Sequence, residues 1–427
     1  MNLLDIGWFQ RALHSRFYPA IFQWITTAAF AVILLSVLFG PNNAGQNFGM
    51  AFTWTLWWPL LAVSFVLLGR FWCAICPFAW LTDTVRNTVG VQLSVPLFLR
   101  RRGPWVIAAL FLLVSYLAET CDLESDARKT GYLMLALFTA VVFFGAFFER
   151  RTFCRHICFM GAFAANYSRT GILELRADTG RCRDCSSHAC YYGTAEAAGC
   201  PMFLPVPNME DSGTCELCAN CIKNCPRGAI RISLRKPLEE LCGIRQPQFC
   251  DAMLACLIAG VALLEQFPTP GGWDWPMFAL FLAAPVATLW LMAAASEALI
   301  GRVSPGNVKR NFSLAGYAVI PLALASHLAH VLDRLMTWSR TAPFALAAMF
   351  GWFPANPGGA WAPRNIVLWT EIIVLSLGLA ASLLVSFRMA GRRILRARRL
   401  GYWPHGLWLL GLFGANLYAV AAMMRRL

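Results

Sequence analysis

Long apolar segments dominate the pattern of hydrophobic and polar positions along this chain. No charged side chain occurs between residues 17 and 69. An α-helix needs about 20 consecutive apolar residues to cross the hydrocarbon core of a bilayer, which is about 30 Å thick. Nine segments meet or approach this length: 20–39, 48–69, 104–118, 132–148, 249–264, 276–295, 312–331, 366–387 and 402–423. The pattern predicts an α-helical polytopic membrane protein with about nine spans.

A polar stretch that is rich in cysteine separates the fourth predicted span from the fifth. At its two ends, residues 172–176 and 229–233 alternate between apolar and polar side chains, which is typical of short strands. We therefore expect a small α+β domain at 166–245. It would be inserted between a four-span membrane unit at 1–165 and a five-span membrane unit at 246–427.

Basic residues are concentrated in segments that fall on one side of a nine-span arrangement. They are Arg11, Arg16, Arg70, Arg86, Arg100, Arg101, Arg102, Arg302, Lys309, Arg310, Arg388, Arg392, Arg393, Arg396, Arg398 and Arg399. Basic loops stay on the cytoplasmic side of a membrane. This predicts a multi-pass protein of the bacterial inner membrane with a cytoplasmic cysteine-rich domain. The net charge of +14 then follows from topology and needs no nucleic acid partner.

The short apolar segment 343–354 bears on this span count. A tenth span at this segment would place the arginines of loop 388–399 outside. We therefore interpret 343–354 as an interfacial or re-entrant piece on the outer face, and the C-terminus is expected outside.

The cysteine run that ends at Pro226 has the spacing C-x2-C-x2-C-x3-C-P, which is the cluster-binding run of bacterial ferredoxins. In two-cluster ferredoxins the fourth cysteine of such a run binds the other cluster. A second set lies upstream and also ends in a Cys-Pro pair. The crossing rule predicts one [4Fe–4S] cluster on Cys182, Cys185, Cys190 and Cys225, and another on Cys200, Cys215, Cys218 and Cys221.

Two observations keep alternatives open for these cysteines. The upstream spacing, C-x2-C-x4-C-x9-C-P, contains an insertion, which leaves the pairing of Cys190 and Cys200 less certain than the rest. C-x2-C pairs also bind zinc, although zinc gives no reason for a cysteine followed by proline twice. Disulfides are disfavoured on the reducing cytoplasmic side of a membrane.

A repeat follows the second and the fourth predicted spans. Each copy has an arginine, one further residue, an aromatic residue and a cysteine pair. The cysteines are Cys73 and Cys76 in the first copy and Cys154 and Cys158 in the second. Two hairpins related by pseudo-symmetry would bring these four cysteines together at the membrane surface, where they could hold a third iron centre. The alternative is that they are packing or redox-sensitive thiols.

The paired hairpin cysteines, followed by a two-cluster insert, resemble the membrane-bound polyferredoxin family over about residues 15–240. This family includes the quinol-dehydrogenase subunit of periplasmic nitrate reductase systems, the regulatory flavoprotein of nitrous oxide reduction and ferredoxins of cytochrome oxidase assembly. Its hairpin motif is usually C-x3-C-P. Here one residue fewer separates Cys73 from Cys76, and Phe159 replaces the proline after Cys158. The resemblance implies membrane-bound electron transfer.

Ionisable residues inside the C-terminal spans are a second candidate site. His327 and His330 lie one helical turn apart, and Glu371 is expected at nearly the same depth on the next span. They are candidates for accepting protons from a quinol, or the histidines for binding metal or haem. Haem binding is the less favoured of these interpretations. Bis-histidine ligands usually come from separate helices, and His405 lies at the opposite leaflet. Alternatively, each side chain simply hydrogen-bonds a neighbouring helix.

Electron transfer is the function that these features predict. Cytoplasmic-side [4Fe–4S] clusters would exchange electrons with the quinone pool or a periplasmic redox protein, and the chain could have quinol dehydrogenase activity. No nucleotide-binding glycine motif occurs, so the other partner would be a cytoplasmic or membrane electron-transfer protein. One rival is reduction of iron or copper for uptake or enzyme assembly, to which His327, His330 and Met336 would contribute. Another rival is a redox sensor.

Overall fold

Long apolar helices account for most of the chain in this computed structural model, which describes residues 2–267, 274–352, 360–393 and 399–426. Eight helices of the described residues are long and apolar enough to cross a membrane: Ala20–Phe39, Phe48–Leu68, Leu97–Thr120, Ala127–Phe147, Trp275–Leu299, Pro305–Trp338, Arg364–Ala390 and Trp403–Ala422. Eight of the nine predicted spans fall on these helices. The other falls on helix Phe249–Leu264, whose 16 residues extend about 24 Å at 1.5 Å per residue.

Shorter helices connect or flank these long ones. They are Gly7–His14, Trp72–Ile75, Pro77–Val89, Thr152–His156, Met160–Tyr167, Thr179–Cys182, Ala189–Tyr192, Asn220–Asn224, Glu239–Gly243 and Thr341–Met349. Helix Thr341–Met349 occupies most of the predicted interfacial segment, whose last two residues, 353 and 354, lie outside the described part. Arg396 and Arg398 of the predicted basic loop also lie outside it.

The chain divides into two units, and each unit is assembled from three stretches of sequence. The cysteine-rich unit comprises Met1–Leu35, Ser64–Leu110 and Gly131–Pro237. The helical unit comprises Ser36–Val63, Phe111–Thr130 and Leu238–Leu427. The division follows contacts and passes through the first four long helices, so the predicted domain boundaries at 165 and 245 stay a prediction.

A two-stranded antiparallel sheet lies at the centre of the cysteine-rich unit. Strand β1 (Leu173–Ala177) pairs with strand β2 (Ile230–Leu234) in a register that sets Leu173 opposite Leu234. Both strands begin one residue later than the alternation predicted, and the small sheet itself is confirmed. Leu175 and Ile232 point into a core shared with the cysteine loops, where Ile222 is also buried. The sheet thus fixes the loops that carry the cysteines.

The N-terminal segment packs onto this sheet and these loops, which the sequence did not predict. The N–H of Ile232 donates to the Asn2 side chain at 3.2 Å. Leu13 of helix Gly7–His14 is buried in the same core. The Tyr18 hydroxyl donates to the Leu217 carbonyl at 2.8 Å. Residues 2–18 therefore belong to the cysteine-rich unit as much as the predicted insert does.

Helix Pro305–Trp338 is the central element of the helical unit. Within it, 89% of an apolar stretch of 18 residues is buried. Small residues let its neighbours approach closely, since a Cβ added at Gly316 would lie 2.6 Å from the Ala252 Cβ. Pro321 lies inside this helix, and the N–H of the following Leu322 donates to the Ser382 hydroxyl at 3.0 Å. The next helix, Arg364–Arg393, is thereby fixed in register against the central one.

Candidate functional site

A first cavity, of about 380 Å³, opens beside the exposed Arg181, Tyr192 and Arg227. Its walls include Cys182, Cys185, Cys190 and Cys225. These are the four cysteines that the sequence assigned to one cluster, although Cys225 comes from the downstream run. The structure therefore gathers them in one place, and their role as ligands stays a prediction.

A second, narrower cavity, of about 20 Å³, is lined by the other four predicted cysteines. They are Cys200, Cys215, Cys218 and Cys221. The crossed arrangement is again present, because Cys200 comes from the upstream set and the other three come from the downstream run. Four thiols in each cavity match the donor set of a [4Fe–4S] cluster.

The two Cys-Pro pairs form turns of the same kind. The N–H of Leu204, four residues after Cys200, donates to the Cys200 sulfur at 3.4 Å. The N–H of Ala229, four residues after Cys225, donates to the Cys225 sulfur at 3.3 Å. Hydrogen bonds to ligand sulfurs are one of the factors that set the potential of an iron–sulfur cluster. The proline after each cysteine thus marks a turn that aims a backbone donor at the sulfur.

The two sets of thiols have different environments. Burial raises the pKa of both Cys215 and Cys218 to about 12. In the first set, the pKa of Cys185 is lowered, chiefly by a hydrogen bond with the Ser187 hydroxyl and by a backbone hydrogen bond from His188. The first set is therefore close to solvent, whereas the second set lies inside the unit.

The four hairpin cysteines form a third group, here called the thiol quartet, which consists of Cys73, Cys76, Cys154 and Cys158. Burial raises the pKa of each thiol, to about 12 for Cys76 and about 11 for Cys158. Charges on neighbouring members raise it further, since Cys73 acts on Cys76 and Cys158, and Cys158 acts on Cys154. The structure thus brings the two hairpin motifs together, as the repeat predicted; metal binding there stays a prediction.

The second cysteine of each hairpin pair immediately precedes, or lies two residues before, a helix. Pro77 is the first residue of helix Pro77–Val89, and the thiol of Cys76 accepts hydrogen bonds from the N–H groups of Phe78 and Ala79. Backbone N–H groups of Met160 and Gly161 donate in the same way to Cys158. The donors lie two and three residues after the cysteine in both copies. The repeat is therefore one of local geometry as well as of sequence.

The arginine of each motif is buried and reaches towards the second set of thiols. Arg70 donates to the Cys73 sulfur at 3.4 Å and to the Gly213 carbonyl at 3.0 Å. Arg151 forms ion pairs with Asp83 at 2.7 Å and with Glu216 at 3.2 Å. The sequence did not predict the contact of Arg70 with Gly213 or the ion pair of Arg151 with Glu216. Arg151 and Glu216 are 65 positions apart, and contacts at such separations leave no local pattern.

The predicted proton-accepting residues lie in the helical unit, His327 and His330 on helix Pro305–Trp338 and Glu371 on helix Arg364–Arg393. All three are buried, and the Glu371 side chain is only 1% exposed. Asp333, three residues after His330, pairs at 2.5 Å with Arg364, seven residues before Glu371. Gly378 packs directly against Ala325 in the same antiparallel pair of helices, which brings Glu371 within about one turn of His330. A shared role for the two side chains stays a prediction. Among the described residues, neither Glu371 oxygen has a hydrogen-bond partner, nor does Nδ1 of His330.

A buried polar network next to these histidines was not predicted. The side-chain amide of Gln266 donates to the Ser326 hydroxyl at 2.7 Å and to the side-chain oxygen Oδ1 of Asn416 at 3.0 Å. Ser326 immediately precedes His327, whose ring lies 5.4 Å from the Trp58 ring. One of these uncharged polar residues lies in the turn after helix Phe249–Leu264, and the other two lie on two separate helices. They give no periodic signal, which is why the sequence did not point to them.

His405 lies on another helix and is far from His330, as measured along the axis of helix Pro305–Trp338. It contacts the Asn311 side chain at 2.8 Å, and Asn311 precedes His330 by roughly 28 Å of helix. His405 and His330 are therefore not placed to share one haem. Within the described residues, no group of three or more histidine, cysteine or acidic side chains is arranged for a single metal ion.

Comparison with known proteins supports iron–sulfur chemistry. A family described as a 4Fe-4S binding domain matches residues 50–105 and 130–174, which include the whole thiol quartet and end before Cys182. An uncharacterized protein of Methanocaldococcus jannaschii is 27% identical over 178 residues, which cover 39% of this chain and 65% of that relative. No solved structure matches. The family match indicates [4Fe–4S] binding and suggests electron transfer as the function.

Proposed function

We propose that this chain is a membrane-bound electron-transfer protein that links iron–sulfur clusters to the quinone pool or to a redox protein on the outer side. The observation that carries the proposal is the crossed gathering of eight cysteines in two cavities. That pairing is the one used by two-cluster ferredoxins. In this proposal the chain is related to the membrane-bound polyferredoxins, which its cysteine motifs resemble.

The residues of the cysteine-rich unit hold and tune the redox groups. Bound clusters would supply one-electron chemistry, which the chain's own side chains cannot supply. The eight thiolates hold them, and the N–H groups of Leu204 and Ala229 stabilise negative charge on ligand sulfurs. The thiol quartet holds a third iron centre, which is supported by the family match over both hairpins.

The helical unit handles protons in this proposal. Oxidation of a quinol to a quinone releases two electrons and two protons, so a quinol site needs proton acceptors. Glu371 and His330 are buried at one level, and both have side-chain atoms without a hydrogen-bond partner among the described residues. A carboxylate and an imidazole are suitable general bases. They would accept protons from the quinol while the electrons leave towards the cysteine-rich unit.

The proposed location is the bacterial inner membrane, with the cysteine-rich unit in the cytoplasm. Two observations support it: the eight helices that could cross a membrane and the basic loops between the predicted spans. Membrane lipid would then cover the exposed apolar side chains of these helices, such as Trp24, Leu35 and Leu291.

Anaerobic purification in detergent tests the proposal. Iron and sulfide are quantified, and the reduced protein is examined by EPR before and after a quinone analogue is added. About eight irons per chain would correspond to two clusters, and about twelve would include a cluster at the thiol quartet. Reoxidation by the quinone analogue supports the quinol site. Zinc in place of iron would overturn electron transfer, and reduction of ferric or cupric ions without any quinone requirement would favour the metal-reductase alternative.

A further inference from the structure

Both arginines of the repeated hairpin motif extend beyond their own hairpin to the loop that leads into the second set of thiols. Arg70 donates to the carbonyl of Gly213 at 3.0 Å, and Arg151 pairs with Glu216 at 3.2 Å. The two arginines are only 5% and 4% exposed. Each hairpin therefore contributes one buried cation, and both cations hold the same four-residue stretch, 213–216.

Glu216 is the anion at the centre of this arrangement. It lies between Cys215 and Leu217 in the sequence, and its side chain is only 1% exposed. It lines the second cavity together with Cys200, Cys215 and Cys218. Its partner Arg151 belongs to the hairpin motif of Cys154, and Arg70 of the other motif donates to the Cys73 sulfur at 3.4 Å. One carboxylate thus lies beside the second set and pairs with an arginine of the quartet's motifs.

We propose that Arg70, Arg151 and Glu216 are positioning residues that set the redox potentials of the thiol quartet and the second thiol set together. This inference rests on the proposed function, because both groups of thiols must hold iron. Adding an electron to an iron–sulfur centre adds negative charge, so a buried cation nearby favours the reduced form and a buried anion disfavours it. The effect is strong because little water is present to screen these charges.

The proposal predicts shifts of opposite sign for the two kinds of residue. Glu216→Gln removes the anion, so the reduced-to-oxidised ratio at the wild-type midpoint potential rises about tenfold, which corresponds to about 59 mV for one electron. Arg151→Gln lowers the ratio by a similar factor, and Arg151→Lys stays near the wild-type value because it keeps the charge. The measurement is an EPR redox titration of the full chain in detergent.

A double variant separates an electrostatic role from a purely structural one. In Arg151→Gln with Glu216→Gln, the two opposite charges are lost together, so the midpoint potential returns towards the wild-type value. In this variant neither member of the Arg151–Glu216 pair stays buried without the other, and Asp83 keeps its ion pair with Arg150 at 3.5 Å. The test therefore stays available if Glu216→Gln alone folds poorly. The matched control is Glu210→Gln, because Glu210 is an exposed glutamate in the same unit.

The iron content distinguishes a failure of the proposed function from a failure of the electrostatic role of these residues. A wild-type protein without iron would overturn the proposed function itself. Normal iron content with unchanged potentials in Glu216→Gln and Arg151→Gln would overturn only the electrostatic role of these residues. If the quartet holds no iron but the second set does, the joint assignment fails, and the titration then reports on the second set alone.

Discussion

Glu371 is the residue whose surroundings fit its chemistry least well. Its carboxyl group is 1% exposed, and neither of its oxygens has a hydrogen-bond partner among the described residues. Leaving a buried polar group unsatisfied costs about 1–3 kcal/mol. A ligand or a proton that the Glu371 carboxyl group receives during turnover explains why the side chain is kept at this cost to stability. We therefore assign Glu371 to the proposed quinol site.

Replacing this carboxyl group tests the assignment. In Glu371→Gln, we expect quinol-dependent reduction of the clusters to fall about 100-fold or more, because the amide cannot accept a proton. Iron content should be unchanged, since the helical unit contains none of the twelve cysteines that are candidate cluster ligands. Rates are measured by following cluster absorbance after addition of a reduced quinone analogue.

The control is Asp122→Asn, which alters an exposed carboxylate of the same unit. Asp122 has φ +56°, a conformation that asparagine also tolerates. A Glu371→Gln protein that reacts with the quinol at the wild-type rate would remove Glu371 from the mechanism.

At the scale of the elements, helix Gly7–His14 is short but contributes to the core of the cysteine-rich unit. Its Leu13 side chain is 6% exposed and packs in the core of the cysteine-rich unit. We expect Leu13→Ala to destabilise this unit by about 2–5 kcal/mol, because the substitution leaves a cavity beside the cysteine loops. The measurement is the temperature at which cluster absorbance is lost.

Trp8→Ala is the control for this helix, since Trp8 is 68% exposed. It should leave the transition temperature close to that of the wild type. Equal transition temperatures for Leu13→Ala and the wild type would mean that residues 2–18 contribute little to holding the cysteine loops.

The two hairpin motifs should contribute equally to one iron–sulfur site. Because the thiol quartet takes two cysteines from each motif, Cys73→Ser and Cys154→Ser should each reduce the iron content from about twelve to about eight per chain. The EPR signals of the other two clusters should persist. Cys242→Ser is the control, as Cys242 lies in the linking helix Glu239–Gly243. Loss of iron in only one of the two variants would contradict a shared centre.

For the whole molecule, the central prediction is its orientation. The basic loops predict that Arg245 is on the cytoplasmic side and that the acidic loop around Asp122 is outside. The test uses a Cys121→Ser background, which removes the native thiol beside Asp122. In intact spheroplasts, a membrane-impermeant maleimide should label Asp122→Cys and should label Arg245→Cys only after lysis. Both side chains are exposed. The reverse labelling pattern would invert the topology and would place the cysteine-rich unit outside.

Features with a local signature were predictable from the sequence. A span needs a run of apolar residues, and eight of the nine predicted segments coincide with long apolar helices. The small sheet was predicted within one residue from its alternation. The grouping of Cys225 with the upstream cysteines followed from the spacing of the run and agrees with the cavity that they line together.

Features that depend on distant partners were not predictable. The ion pair of Arg151 with Glu216, the contact of Asn2 with β2 and the network of Gln266 each join residues at least 60 positions apart. Such contacts depend on how the helices pack, and a single sequence contains no periodic trace of them. The helix start after Cys158 was missed for another reason, because Phe159 stands where the first copy has Pro77, and proline is the residue that often opens a helix.

The contact of Asn2 with Ile232 has a consequence for synthesis. Asn2 and the helix that follows it pack in a core with a strand that is made 230 positions later. At about 5–20 residues per second, the N-terminal helix waits roughly 12–46 seconds for its partner. During that interval its apolar face is uncovered. A cluster bound in the cysteine loops would therefore be packed against this helix only late in translation.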